Sequence, residues 1–313
     1  MQTNPIKSLI AVSTLAFLGT PAFAQVVKVD GSSTVYPVTE AVAEEFQKAN
    51  KGTKVTVGVS GTGGGFKKFC RGETDISNAS RPIAAKEMEA CRAAGVEYFE
   101  VPVAFDALTV VINPKNAWLK QATVAELKKL WEPEAQGKVT HWNQVNPAWP
   151  NQPIKLFGAG ADSGTFDYFT EAIVGKSKSS RGDFTASEDD NVLVQGVAGD
   201  VNAIGYFGYA YYAENTAKLK ALPIVEKEGK PAVAPSEKTV LDGSYQPLSR
   251  PIFIYVNAKS LSKPEVKKFV DFFMTEGGKM ASEVKYVPLP AEAYKMAQDH
   301  INKGKKGTVF GGK

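Results

Sequence analysis

Short apolar segments with the pattern of β-strands alternate with segments that have the apolar spacing of helices. The first strand, residues 26–29, precedes a helix in which Val38, Val42 and Phe46 share one face. Strands that alternate with helices indicate an α/β fold, in which ligands bind at the carboxyl ends of the strands. Further strands are predicted at residues 54–59, 75–76, 101–105, 107–112, 154–157 and 252–256.

Capping signals mark the starts of several predicted helices. Thr123 and Glu126 form a capping box before a helix that ends near Trp131. Two more N-caps are predicted, one within residues 188–191 and one at Ser262. The helix after Ser262 has an apolar face made of Val266, Phe269, Val270 and Phe273.

Four of the predicted strands lead into turns that are rich in hydroxyl groups or glycine. Free main-chain N–H groups and the positive end of a helix dipole favour an anion at such a turn. The sequence therefore predicts an anion site. In chain order, the first to fourth turns are Asp30-Gly31-Ser32-Ser33-Thr34-Val35-Tyr36-Pro37, Ser60-Gly61-Thr62-Gly63-Gly64-Gly65, Ser77-Asn78-Ala79-Ser80-Arg81-Pro82 and Asp162-Ser163-Gly164-Thr165.

Arg81 is the arginine found within these four turns. Its planar guanidinium group can hold a tetrahedral oxyanion through two parallel hydrogen bonds. An arginine before a proline is more often an ordinary surface residue, but the neighbouring hydroxyl-rich turns make Arg81 a candidate ligand. In the second turn, we expect the glycines to form a loop and the helix to begin near Phe66.

The composition is that of an ordinary soluble globular protein. The chain has 313 residues and a formal charge of +4, with 22% charged and 43% hydrophobic residues. Its lysines and arginines are scattered, so no nucleic-acid partner is expected. A chain of this length exceeds the size at which single cores stop growing, and two domains are expected.

The N-terminus has the features of an export signal. Lys7 supplies a positive charge, residues 9–18 an apolar segment, and residues 22–24 an Ala-Phe-Ala cleavage site. We therefore expect a cleaved signal peptide over residues 1–24 and a mature chain that begins at Gln25. An N-terminal membrane anchor is the weaker alternative, because the apolar segment is short for a membrane span.

The two cysteines of the chain, Cys70 and Cys91, lie close together in sequence after the cleavage site. An oxidising compartment favours a disulfide between them, which would stabilise the fold by about 3 kcal/mol. Two buried free thiols are the alternative.

Taken together, the four turns resemble those of the periplasmic phosphate-binding proteins of ABC phosphate importers. The resemblance covers essentially the whole mature chain. It implies a type II periplasmic-binding-protein fold, with two α/β lobes joined by two crossing strands near residues 105–112 and 251–256. The implied domains are lobe 1, residues 25–107 plus 251–313, and lobe 2, residues 108–250.

The resemblance also implies a function, the high-affinity binding of inorganic phosphate in the periplasm and its delivery to the membrane permease subunits of an importer. It implies a monomeric binding protein, not an enzyme, with neither a cofactor nor a metal. The implied ligands carry hydroxyl, amide, guanidinium or carboxylate groups and are Ser33, Thr34, Ser60, Thr62, Ser80, Arg81, Asp162, Ser163, Gly164 and Thr165.

The chain departs from the family pattern in two of the turns. The best-known members have an aspartate in the third turn, where this chain has Ser80 and Arg81. They also have an arginine just before Ser-Gly-Thr, where residues 159–161 are Ala-Gly-Ala. The single guanidinium is therefore predicted to lie in the opposite lobe. The carboxylate that accepts the phosphate proton, and so excludes sulfate, stays open between Asp162, Asp106 and Asp190.

Several other functions fit the sequence less well. A binding protein for sulfate, molybdate or arsenate is the main alternative, and an extracellular interaction protein is another. A serine hydrolase is suggested by Asp162-Ser163-Gly164, but a triad needs a histidine base, and the chain has only His141 and His300. The aromatic residues within 202–212 could stack on a ligand, but packing between domains is the favoured interpretation.

Overall fold

The structure is a computed structural model, and it describes residues 25–161, 163–187 and 189–308. The predicted signal peptide and Asp162 lie outside the described residues. The strands are β1 (Gln25–Gly31), β2 (Thr53–Val59), β3 (Ile76–Ala79), β4 (Tyr98–Ile112), β5 (Ala122–Thr123), β6 (Lys155–Ala159), β7 (Thr185–Ser187), β8 (Ala203–Gly208), β9 (Lys220–Ala221), β10 (Ile224–Val225), β11 (Ala232–Val233), β12 (Ser249–Asn257) and β13 (Val287–Pro288). The α-helices are α1 (Tyr36–Ala49), α2 (Gly61–Cys70), α3 (Ala85–Ala93), α4 (Val124–Trp131), α5 (Trp142–Val145), α6 (Gly164–Phe169), α7 (Asp190–Gly199), α8 (Tyr209–Glu214), α9 (Glu237–Leu241), α10 (Pro264–Glu283) and α11 (Ala291–Asn302).

Most of the strands belong to one mixed sheet. Strand β1 lies between β2 and β3 and is parallel to both, so the carboxyl ends of all three meet at one edge. Strand β12 pairs antiparallel with β3 and with the first part of β4. The last part of β4, residues 108–112, pairs antiparallel with β8, and β6 lies parallel between β7 and β8. Strand β4 therefore belongs to both ends of the sheet.

Buried apolar side chains form separate cores at the two ends of the sheet, and we call the parts built around them lobe 1 and lobe 2. Along β4, Ala104 lies in the lobe 1 core and Ala107 in the lobe 2 core. Leu248, just before β12, lies in the lobe 2 core, and Ile252, within β12, lies in the lobe 1 core. Two crossing segments thus join two α/β lobes, and the predicted architecture is confirmed. The predicted apolar face of α10 is also confirmed in the lobe 1 core, with Val266, Phe269, Val270 and Phe273 buried.

Strand β4 is continuous, whereas the sequence pattern predicted two strands separated by Asp106. In the antiparallel register with β12, Asp106 stands opposite Arg250. Its residue surface is 7% exposed, and the two side chains form an ion pair. The prediction of a break was wrong because a partner on the adjacent strand offsets part of the cost of burying the carboxylate.

Most of the predicted helix caps are present. The N–H of Thr123 donates to Glu126 Oε2 at 2.8 Å, and the N–H of Glu126 donates to Thr123 Oγ1 at 3.1 Å, which confirms the capping box. Asp189 caps α7, also as expected. The cap at Ser262 was wrong, because its hydroxyl donates to the carbonyl of Lys259 at 2.8 Å.

The predicted disulfide joins Cys70 at the end of α2 to Cys91 in α3. Among the aromatic residues of β8, Tyr206 is fully buried and stacks on Phe169, with the ring centroids 3.6 Å apart. Tyr206 belongs to the lobe 2 core, so the packing interpretation is right but the packing lies inside one lobe. In the part of the chain that the structure describes, the helices are too short or too polar to cross a bilayer.

Candidate functional site: the cleft between the turns

The first turn connects β1 to α1. Its hydroxyl groups do not cap the helix, since the N-cap position is Val35 and no side chain caps it. Ser32 Oγ accepts a hydrogen bond from the N–H of Thr34 at 3.2 Å instead. Ser33 is exposed, and Thr34 is buried. Because neither hydroxyl caps the helix, both can serve a ligand.

The second and third turns are in direct contact. Thr62 Oγ1 lies 3.1 Å from Ser80 Oγ and accepts a hydrogen bond from the N–H of Ser80 at 3.2 Å. The second turn also contacts the first, since the N–H of Ser60 donates to the carbonyl of Gly31 at 3.1 Å. The turns that follow β1, β2 and β3 therefore lie together at the carboxyl edge of the sheet, as parallel pairing requires.

The glycines of the second turn are already helical, since α2 begins at Gly61 rather than near Phe66. A Cβ atom on Gly65 would lie 2.6 Å from Gly31 Cα, closer than side chains tolerate. The prediction of a glycine loop was wrong because Gly65 lets α2 pack closely against the end of β1. The free main-chain N–H groups of the second turn are therefore those of a helix N-terminus.

The fourth turn reaches the site from lobe 2. Ser163 caps α6, and its Oγ accepts a hydrogen bond from the N–H of Thr165 at 3.2 Å. A Cβ atom on Gly164 would lie 3.4 Å from Thr34 Oγ1 and 3.5 Å from Thr34 Cα. The first and fourth turns are thus in contact, and the two lobes meet at the position where four strand ends converge.

Arg81 is held by its own lobe. Its Nη1 and Nη2 donate to the two carboxylate oxygens of Glu87, each at 2.8 Å, and Nη1 also donates to the carbonyl of Pro82 at 3.1 Å. The Glu87 carboxylate raises the pKa of Arg81. Glu87 also accepts a hydrogen bond from the N–H of Ala84 at 2.9 Å, at the start of α3. The structure therefore anchors the guanidinium beside the third turn.

A second arginine, Arg250, lies where β12 crosses between the lobes. Its Nε is 3.4 Å from Asp106 Oδ2, and its Nη1 is 3.4 Å from Glu171 Oε2. The guanidinium carbon lies 3.6 Å from the ring centroid of Tyr168. Burial raises the pKa of Asp106, and the charge of Arg250 opposes that shift. No local sequence pattern marks Arg250, because its partners are distant in the chain.

Tyr286 contacts the main chain of the first turn. Its hydroxyl donates to the carbonyl of Thr34 at 2.6 Å. Burial raises the pKa of Tyr286, and the charges of Asp106 and Arg250 also act on its hydroxyl. Tyr286, Asp106 and Arg250 therefore lie near the place where the first and fourth turns meet. Tyr286 also has no local sequence signal, since no motif surrounds it.

Comparison with known proteins decides the family. Residues 19–276 match a family model described as the PBP superfamily domain. The chain belongs to this superfamily. The crystal structure of a "possible phosphate binding protein" from Planctomyces limnophilus is similar, with a TM-score of 0.85 and 48% identity, covering 90% of this chain and 98% of that one. This PBP-superfamily protein thus has the type II fold that the four turns led us to expect.

Two curated relatives of this PBP-superfamily protein align along most of its length. Protein SphX of Synechococcus elongatus is 57% identical over 287 residues, which are 92% of this chain and 84% of the relative. The phosphate-binding protein PstS of Staphylococcus saprophyticus is 40% identical over 279 residues, which are 88% of this chain and 84% of the relative. The likeness therefore includes both lobes and all four turns.

The remaining candidate groups of this PBP-superfamily protein lie in different places. Asp190 is at the start of α7, and its charge is among those that raise the pKa of Tyr211, after burial. His141 precedes α5, with Nδ1 3.0 Å from Thr140 Oγ1, and His300 lies in α11. Within the described ranges, no group of three or more His, Cys, Asp or Glu side chains could hold a metal ion.

Proposed function

We propose that this protein binds inorganic phosphate outside the cytoplasm and delivers it to an ABC importer. The observation that carries the proposal is the contact between hydroxyl-rich turns of both lobes at Thr34 and Gly164. Hydroxyl groups, main-chain N–H groups and helix N-termini are the donors that bind phosphate oxygens. The relative from Staphylococcus saprophyticus is named a phosphate-binding protein, which supports this ligand.

The proposed ligand set follows the four turns. Lobe 1 (residues 25–107 plus 251–313) would contribute the first three turns and Arg81, and lobe 2 (residues 108–250) the fourth. Phosphate between them would draw the lobes together, because each lobe supplies only part of the donors. The proposed ligands are Ser33, Thr34, Ser60, Thr62, Ser80, Arg81, Asp162, Ser163, Gly164 and Thr165.

A carboxylate acceptor would make the site selective for phosphate. Phosphate keeps a proton at neutral pH and can donate it, whereas sulfate is fully ionised and is repelled by a carboxylate. Among the described candidates, Asp106 is supported by its burial beside Arg250 and near Tyr286. Asp190 lies at the start of α7, and Asp162 lies outside the described residues.

The remaining parts of the proposal concern location and partners. We expect a signal peptide over residues 1–24, a mature chain from Gln25 in the periplasm, and a monomer that docks on permease subunits. The proposal includes no catalytic step, since phosphate would be bound and released unchanged. Deletion of the gene followed by a phosphate-uptake assay separates transport from an interaction protein, because only a transport role predicts reduced uptake.

The direct test is a calorimetric titration of the mature protein with phosphate, sulfate and arsenate across a range of pH. We expect phosphate binding that survives an excess of sulfate, because sulfate has no proton to donate. Equal competition by sulfate would contradict selective phosphate binding. A preference for sulfate or arsenate over phosphate would assign the cleft to another oxyanion.

A further inference from the structure

The guanidinium group of Arg250 is shared between partners at long distances. Its contacts to Asp106 and Glu171 are both 3.4 Å, beyond the 2.7–2.9 Å typical of charge-assisted hydrogen bonds. The side chain is nevertheless 17% exposed and lies over the ring of Tyr168. Arg250 is therefore held in orientation, but its hydrogen bonds are weak.

An arginine with a purely structural role looks different in this protein. Arg181 has a side chain that is 3% exposed, and it donates to Asp183 Oδ2 at 2.8 Å. It also donates to the carbonyls of Leu130 and Val139 at 3.1 and 3.0 Å. Short bonds to several fixed acceptors satisfy that guanidinium inside lobe 2. The Arg250 side chain is more exposed, at 17%, and its hydrogen bonds to the described residues are longer, at 3.4 Å.

The position of Arg250 places it at the site. Tyr168 lies in α6, the helix that the fourth turn begins. Tyr286, whose hydroxyl is acted on by the charge of Arg250, donates to the carbonyl of Thr34 in the first turn. The ring contact of Arg250 with Tyr168 therefore places its guanidinium beside the helix of the fourth turn, and its charge acts on the tyrosine that hydrogen-bonds to the first turn.

Glu171 is the more exposed of the two carboxylate partners. Its side chain is 57% exposed, whereas that of Asp106 is 10% exposed. The charge of Glu171 also adds to the raised pKa of Arg81, after the larger contribution of Glu87. One solvent-accessible carboxylate of lobe 2 therefore acts on both arginines near the cleft. An exposed ion pair of this kind is easily exchanged for a better acceptor.

We propose that Arg250 is a second cationic ligand of the bound anion and that Glu171 competes with the anion for it. The inference rests on the proposed function, because it assumes an oxyanion in the cleft. Asp106 and Tyr168 fix the plane of the guanidinium, and the anion replaces Glu171 with shorter bonds. A dianion then meets two guanidinium groups, Arg81 from lobe 1 and Arg250 from the crossing strand.

The test is a double-mutant cycle with inorganic phosphate, measured by calorimetry on the mature full chain. Arg250→Gln is expected to weaken binding on the order of 10- to 100-fold, the loss typical of a hydrogen bond to a charged group. Glu171→Gln is expected to tighten binding roughly 2- to 5-fold, because it removes a weak competing ion pair. In the double variant, Glu171→Gln should bring no gain over Arg250→Gln alone.

Matched controls use arginine and glutamate side chains away from the cleft. Arg92→Gln in α3 and Glu292→Gln in α11 remove exposed partners of local ion pairs and should leave the affinity unchanged. Folded Arg250→Gln protein with wild-type affinity would overturn the inference. So would a Glu171→Gln variant that binds no tighter, or that tightens binding equally without Arg250.

The phosphate affinity of Glu171→Gln still tests the inference if Arg250→Gln does not fold, because Glu171 is exposed and its replacement leaves the cores intact. Wild-type protein that binds no phosphate would overturn the proposed function together with this inference. Wild-type protein that binds phosphate while both variants behave as wild type overturns this inference alone.

Discussion

Arg81 and Arg250 lie near the same cleft but are held in opposite ways. Arg81 makes two hydrogen bonds of 2.8 Å to Glu87, a residue of its own lobe. Arg250 makes contacts of 3.4 Å to Asp106 and to Glu171, which belongs to lobe 2. Under the proposed function, both arginines bind the anion: Arg81 is already fixed by its own lobe, whereas Arg250 is shared across the crossing and would exchange Glu171 for the anion.

The surroundings of the two arginines strengthen the contrast. Arg81 lies over the ring of Phe66 in α2, at 5.9 Å, and its partner Glu87 is in α3. The disulfide between Cys70 and Cys91 ties these two helices together. Arg250 is near no covalent link among the described residues, and its neighbours come from three separated parts of the chain. The Arg81 region is therefore the rigid side of the cleft.

The largest effect is expected from Arg81→Ala, which should weaken phosphate binding by about 2–4 kcal/mol. The variant loses a charge-assisted contact and leaves the Glu87 carboxylate without its partner near a bound anion. Calorimetry measures the loss. The double variant Arg81→Gln with Glu87→Gln divides this loss into two causes. Recovery of affinity in the double variant would assign part of the loss to the unpaired Glu87 carboxylate. An affinity unchanged in Arg81→Ala would remove Arg81 from the site.

Replacing both Cys70 and Cys91 by serine should change the free energy of unfolding by an amount similar to the loss of binding free energy in Arg81→Ala. Loss of the link should lower the free energy of unfolding by about 3 kcal/mol, because the open chain regains loop entropy. Urea unfolding of the oxidised wild type and the variant measures it, with the reduced wild type as the control. Phosphate affinity should change much less than in Arg81→Ala. A large loss of affinity would show that the rigid side needs the disulfide to hold Arg81.

The smallest effect concerns the pH dependence of stability at the Arg250 side. Burial raises the folded-state pKa of Asp106 above its usual value, so the folded protein binds this proton more tightly than the unfolded chain. Its contribution to stability is therefore present below the unfolded pKa and is lost as pH rises through the raised value.

Asp106→Asn should flatten that part of the plot of stability against pH. Thermal unfolding at a series of mildly acidic pH values, in the absence of phosphate, measures the change. Burial also raises the pKa of Asp167, so Asp167→Asn is the comparison that separates the two carboxylates. Among the described residues, Arg250, Tyr168 and Tyr286 interact electrostatically with Asp106, and none of them is changed in these variants. A slope in Asp106→Asn identical to that of the wild type would count against this account of Asp106.

The order of strands, turns and helices was accessible from the sequence because each depends on nearby residues. The capping box at Thr123 needs only Glu126, three residues later, and the apolar face of α10 needs only its own spacing. Parallel strands place their carboxyl ends together, so the convergence of the first three turns also followed from the pattern. The disulfide could be expected because only two cysteines were available.

Tertiary contacts decided the rest, because they join residues that no local pattern relates. Arg250 meets Asp106 across 144 positions, and Tyr286 meets Thr34 across 252. The start of α2 at Gly61 depended on close packing of Gly65 against Gly31, the last residue of β1. The sequence by itself therefore determined which turns form the cleft. Only the folded chain decided which charges lie beside it, since strand register and lobe contact set those distances.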